Sequence, residues 1–186
     1  MIFGATWQKI WRDWILSFDG TDDHILGDDY PSLRITGDMT VVAWVKPDVT
    51  ANTFMPVVQK DYYREWCLVV DVRGTSRNLA WRHGDGEVEI INFVNYFTEG
   101  SVWYHVAVVR VGKNIVAYKN GTYFGTQSFT KTIVSGTSPL MLGRATIAGY
   151  WYRGLIGDVL VFRKALSAEQ ISFLYNLFRG ELRKPP

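Results

Sequence analysis

The chain has little of several things, and each scarcity removes a class of protein. It holds one cysteine, Cys67. A lone thiol can neither close an internal disulfide nor build a multi-cysteine zinc site, and its place in the apolar run WCLVV reads as a buried, unreactive side chain. No apolar run approaches the ~18 residues that a membrane span needs. An excess of one charge is also missing. Twenty basic and eighteen acidic residues leave +2, with no basic stripe, which argues against a nucleic-acid partner. The opening MIFGATWQKIWRDWIL carries charges every few residues and lacks both a clean apolar core and a small-residue cleavage site. The expectation is a chain made in a cytoplasm without a signal peptide. Gly-x-Ser-x-Gly, the phosphate loop and the dinucleotide fingerprint do not occur.

Aromatic residues, by contrast, are abundant: 15% of the 186 residues, including 8 Trp. Aromatic and β-branched side chains favour strands, and surplus Trp and Tyr also serve binding surfaces. The length suits one domain with a sizeable core.

The stretch WYHVAVVRVGKNIVAYKNGTYF (103–124) organises the rest. Tyr104, Val106, Val108 and Arg110 alternate with Trp103, His105, Ala107 and Val109. Gly112-Lys113 separates two strands, and Asn120-Gly121 is a strong hairpin signal before a third. Neither face is consistently polar, so a second sheet is expected to bury the ribbon. Further apolar runs at MTVVAWVK (39–46), PVVQK (56–60), WCLVVDV (66–72), NLAWR (78–82), VEIINFV (88–94), LMLG (140–143) and DVLVFRK (158–164) are each bounded by turn residues. This pattern predicts an all-β, antiparallel sandwich. One helix closes it: Ser167 with Gln170 makes a capping box, Ile171, Leu174, Tyr175 and Phe178 form an apolar stripe, and Gly180 ends it.

Residues 1–14 stand apart as a Trp-rich arm, with the domain proper over 15–178 and a polar tail over 179–186. Trp7, Ile10, Trp11 and Trp14 follow helical spacing. Two readings follow: a short helix or arm packed on its own domain, or an anchor onto another protein subunit.

The segments LSFDGTDDH (16–24), MTVVAWVKPD (39–48), WYHVAVVRVGKNIVAYKNG (103–121), LMLGR (140–144) and GLIGDVLVFRKALSAEQISFLY (154–175) resemble the laminin-G-like branch of the concanavalin A-like lectin/glucanase superfamily. The resemblance implies a jelly-roll sandwich of two curved antiparallel sheets. Such a fold hosts lectins, glycosidases, adhesion modules and structural domains, so it leaves function open.

Glucanase relatives cleave with carboxylates on one strand, and retaining chemistry needs two of them ~5 Å apart. The candidate here, Glu87-Val88-Glu89, has no Asp between nucleophile and acid and follows the turn Gly84-Asp85-Gly86. The expectation is therefore no enzyme. The resemblance also implies one structural Ca²⁺, for which Asp19, Asp38 and Asp158 are the candidates. Six to eight hard oxygen ligands from separate loops would suit it, although Asx-turns explain Asp19, Asp22 and Asp38 equally.

For a sugar, aromatic faces mixed with polar groups at strand ends are the relevant pattern. Tyr62, Tyr63 and Arg64, then Trp81 and His83, then Tyr150, Trp151 and Tyr152 supply the candidates. Two functions remain. One is a lectin-like structural or attachment protein of a larger assembly, such as a virus or bacteriophage particle surface (decoration or fibre), which also binds glycan. The other is a stand-alone carbohydrate-binding module. The arm, through Trp7, Ile10, Trp11 and Trp14, separates them.

Overall fold

Runs such as MTVVAWVK are too continuously apolar for a half-solvated strand, and they must be covered on both faces. The computed structural model describes residues 1–10, 13–147 and 149–182. Among the described residues the strands are β1 (Ile2–Phe3), β2 (Thr6–Ile10), β3 (Asp13–Asp19), β4 (His24–Leu26), β5 (Met39–Pro47), β6 (Phe54–Gln59), β7 (Cys67–Asp71), β8 (Asn78–Gly84), β9 (Val88–Phe93), β10 (Tyr104–Val111), β11 (Asn114–Lys119), β12 (Thr122–Ser128), β13 (Met141–Leu142) and β14 (Arg153–Phe162). One helix, α1 (Ala168–Leu182), follows them.

The strands form two antiparallel sheets of seven. The first runs β1-β4-β13-β6-β7-β8-β9 and the second β12-β11-β10-β5-β14-β3-β2. This is the expected jelly-roll sandwich. Its core lies between the sheets, where Val41, Ala43, Val106 and Val108 of the second meet Leu68, Val70 and Trp81 of the first.

The second sheet explains the apolar runs. Alternate residues of β5 and β10 enter the core, while Val42, Ala107 and Val109 face outward beneath α1, packed with Ile171 and Leu174. Trp44 joins that outer layer, with its ring 4.9 Å from His105 and 5.6 Å from Tyr175. So the central ribbon is covered by a second sheet on one face and by the C-terminal helix on the other. The expected capping box is present: Ser167 N–H donates to Gln170 Oε1 at 3.0 Å, and Gln170 N–H to Ser167 Oγ at 3.3 Å. The helix runs two residues past Gly180 rather than stopping there, a difference within the ordinary scatter of helix ends.

The hairpin signal at Asn120-Gly121 also holds. Both residues have positive φ, 52° and 78°, the geometry of a two-residue turn whose twist suits the flanking strands. A Cβ at Gly121 would stand 2.9 Å from the Tyr175 ring, so the turn is seated against α1.

The first ten residues depart from the helical reading. β2 pairs with β3 from Thr6↔Ser17 to Ile10↔Asp13, and β3 continues into pairing with β14. Tertiary pairing overrides a local 3.6-residue spacing here: a strand edge on β3 satisfies backbone groups that a short isolated helix would leave to water. The N-terminal segment is thus part of both sheets, with β1 at one edge of the first and β2 at one edge of the second.

Candidate functional site

The outer face of the first sheet carries the candidate site. Strand alternation sends Leu79 and Trp81 of β8 inward and Ala80 and Arg82 outward. Cys67 and Val69 of β7 stand opposite Arg82 and Ala80 in the ladder, and Phe54 of β6 joins them outside. Two loops close over this patch. The 61–65 loop is shaped by Asp61, whose Oδ1 accepts the Tyr63 and Arg64 backbone N–H groups at 2.7 and 3.0 Å. The 143–152 loop is pinned to β6, with Gly143 N–H donating to Val57 O at 3.1 Å, and closed by the Arg144↔Trp151 bridge.

These loops meet. Tyr62 N–H donates to Thr146 Oγ1 at 3.4 Å, and the Tyr62 and Tyr150 rings lie 6.4 Å apart at 7°. Tyr150 is edge-on to Phe54 at 5.1 Å, and Tyr63 is edge-on to Tyr62 at 4.9 Å. Tyr62 is the buried lid, whereas Tyr63 is 43% exposed and Tyr150 is half-buried. Beneath them the Arg82 guanidinium sits 3.9 Å from the Phe54 ring centre and 4.4 Å from that of Tyr62. Burial pulls its pKa down to about 10.

Several sequence-predicted residues lie elsewhere. Trp81 points into the core and stacks on Trp66 at 6.2 Å, so it offers no face to a ligand. His83 is buried, accepting from Trp81 Nε1 at 3.0 Å and lying against Phe129, with its pKa lowered to about 4 by burial. The triplet 150–152 takes three directions. Tyr150 joins the outer patch, Tyr152 is buried in the core edge-on to Phe18, and Trp151 turns toward His24 and Arg144. Strict alternation would set Tyr150 and Tyr152 on one side, so here the loop, and not the strand pleat, decides where each ring goes. Arg64 is exposed at the loop tip. Phe54 and Arg82 are the members that sequence reasoning missed. The available signal was period two along β8, which sets Arg82 on the face opposite Trp81.

Glu89 accepts the Thr130 and Lys131 backbone N–H groups at 3.0 and 2.6 Å, and Glu87 pairs with Lys131 Nζ at 2.5 Å. These carboxylates clamp the segment after β12 to the start of β9.

The structure does not bring Asp19, Asp38 and Asp158 together. Asp38 accepts the Gly112 N–H at 2.9 Å, at the end of β5 remote from Asp19. At ~3.3 Å per residue the length of β5 keeps them roughly 25 Å apart. Asp158 is exposed at the β14 bulge, five residues beyond the Arg153 that faces Asp19. A different set converges: carboxylate oxygens of Asp19, Asp22 and Asp23 lie within 4.8 Å of one another. Burial, and then the charges of Asp19 and Asp22, raise the Asp23 pKa, a situation a cation would relieve. Hard oxygens suit Ca²⁺, so these three residues would hold that ion if the turn takes one.

At the hairpin, Trp7 and Trp14 are 53% and 61% exposed and line one apolar cleft. Trp11 lies outside the described residues, and of Ile10 only the backbone is described.

A laminin-G family model of the concanavalin A-like lectin/glucanases superfamily matches residues 19–172. The chain belongs to this superfamily. No curated protein matches the superfamily member by sequence. Among solved structures, the botulinum neurotoxin serotype D binding domain is similar at TM-score 0.75 and 16% identity, covering 95% of this chain and 46% of that one. The binding domain of Paraclostridial Mosquitocidal Protein 1 is similar at TM-score 0.74 and 15% identity, covering 96% and 47%. A serotype D ligand-binding domain solved in complex with N-acetylneuraminic acid is similar at TM-score 0.73 and 16% identity, covering 93% and 44%. The chain spans less than half the length of these structures. At such identities the likeness is one of fold: a lectin-like sandwich shared with toxin binding domains.

Proposed function

We propose that this superfamily member is a non-catalytic glycan-binding module, with its ligand resting on Tyr63 and Tyr150 beside Arg82. The observation that carries this reading is the convergence of the 61–65 and 143–152 loops into one aromatic patch, with Tyr63 left 43% exposed. Aromatic faces stack on the apolar faces of pyranose rings, and nearby polar groups read hydroxyls. A similar domain holding N-acetylneuraminic acid adds support by analogy of fold. The engagement of Glu87 and Glu89 in clamping Thr130 and Lys131 supports a role without catalysis. A glycan-array screen followed by calorimetry tests the proposal. Selective binding that Tyr63→Ala and Tyr150→Ala weaken is expected; silence across a broad array, or binding indifferent to both variants, overturns it.

A second reading is an attachment subunit of a larger assembly, such as a virus or bacteriophage particle surface, that also carries the glycan site. The exposed Trp7 and Trp14 on the edge hairpin favour it, since a monomer rarely presents two neighbouring Trp rings to water. Because β1 and β2 are sheet strands, deleting the segment would damage the sandwich, so point variants are the suitable test. Trp7→Ser with Trp14→Ser should abolish docking or self-association in sedimentation while leaving Tm unchanged. Unaltered association would remove this reading.

A further inference from the structure

Among the described residues three arginines lie against aromatic rings: Arg73 near Phe54, Arg82 between Phe54 and Tyr62, and Arg144 near Trp151. Two have polar partners. Arg73 makes a two-pronged pair with Asp71, at 2.9 Å from Nε and 2.7 Å from Nη2. Arg144 donates from Nε to the Ala145 carbonyl at 3.3 Å. Arg82 is only 3% exposed, yet among the described residues no carboxylate, carbonyl or hydroxyl accepts from it, and its Nε is enclosed without a partner. The Phe54 and Tyr62 faces attract the cation but take up none of its five N–H donors.

A buried guanidinium left with open donors costs stability, and the most complete relief is an oxyanion that accepts two parallel N–H bonds. Phe54 lies against both: Arg73, neutralised by Asp71, with its guanidinium carbon 5.2 Å from the ring centre, and Arg82, with its charge unmatched among the described residues, at 3.9 Å. The unmatched one lies under the very loops that form the aromatic patch. We propose that Arg82 anchors an anionic substituent, a carboxylate or sulfate, on the saccharide that stacks against Tyr63 and Tyr150. This inference rests on the glycan-binding reading and names the class of glycan: acidic rather than neutral. A hydroxyl would occupy one donor and leave the charge uncompensated, whereas a planar carboxylate or a sulfate edge matches the fork.

The test uses the full chain, with ¹⁵N-resolved arginine Nε–Hε spectra and Arg82→Lys to assign the resonance. The probes are a methyl glucuronide, a methyl glucoside sulfate and the neutral methyl glucoside. The Arg82 signal is expected to shift saturably with one or both acidic probes, and little with the neutral one. A shift with only one of them identifies the substituent. Calorimetry with the corresponding oligosaccharides should show an acidic preference of about 10-fold or more, weakened by salt and collapsing in Arg82→Gln. If neutral and acidic sugars bind alike and the Arg82 signal stays fixed, the acidic preference is overturned while glycan binding stands. If inorganic sulfate moves Arg82 but no saccharide does, the anion anchor stands and the glycan reading falls. If the Arg82 signal stays fixed and calorimetry detects no binding of any saccharide, both fall. Because these spectra are read on the native chain, instability of a variant leaves the outcome intact.

Discussion

The Tyr62 and Tyr150 rings lie parallel within 7°, with centres 6.4 Å apart, although they belong to loops distant in sequence. Tyr62 is the buried lid over Arg82, while Tyr63 beside it is open to water. The two should therefore separate under mutation. Tyr63→Ala should weaken glycan binding about 10-fold, equivalent to about 1.4 kcal/mol, with Tm unchanged. Tyr62→Ala should lower affinity and also cost about 3–5 kcal/mol of stability, as buried aromatic truncations do. Calorimetry and urea melts read both; equal effects of the two variants on Tm would contradict the lid geometry.

His83 makes stability depend on pH. Its pKa is lowered from 6.5 to about 4, chiefly by burial. The unfolded chain then binds more protons than the folded one between those values. This contribution to stability is fully present above pH 6.5, declines as pH falls through the window to 4, and levels off below. The full loss is about 3 kcal/mol. His83→Gln should flatten that part of a stability-versus-pH curve measured by denaturant melts. An unchanged slope would show that other groups carry it.

Lys60 is buried with Glu65, its Nζ 2.6 Å from Asp29 Oδ1 and 3.4 Å from Glu65 Oε1. Burial raises the Glu65 pKa, so its charge depends on the lysine. Lys60→Met should cost about 3–5 kcal/mol by leaving a buried carboxylate uncompensated. Lys60→Met combined with Glu65→Leu should recover much of that loss. Additive losses in the double variant would show that the pair is not coupled.

Calcium, if taken up, belongs at Asp19, Asp22 and Asp23. It should raise Tm, chelator should reverse the rise, and Asp23→Asn should remove it, whereas Asp158→Ala should not. A rise lost with Asp158→Ala instead would restore the ligand set expected from sequence.

The strands, the Asn120-Gly121 hairpin, the Ser167/Gln170 cap and, of the α1 stripe, Ile171, Leu174 and Tyr175 were legible in the sequence because each depends on residues a few positions apart, while the Phe178 side chain lies outside the described residues. Period two and the geometry of tight turns are local properties. The superfamily was equally legible, through blocks distributed along the chain. Tertiary structure decided the rest. Trp7 and Trp14 come onto neighbouring strands because β2 pairs along β3, which no spacing within the segment reveals. Trp81 and Arg82, adjacent in sequence, have opposite fates because the pleat sends one into the core and the other to the outer face. Asp19 met Asp22 and Asp23 rather than Asp38 because the length of β5 intervenes. Composition and local pattern together determined that this would be an aromatic-rich sandwich; sheet order and register decided which aromatics reach water, because only they bring the 61–65 and 143–152 loops to one place.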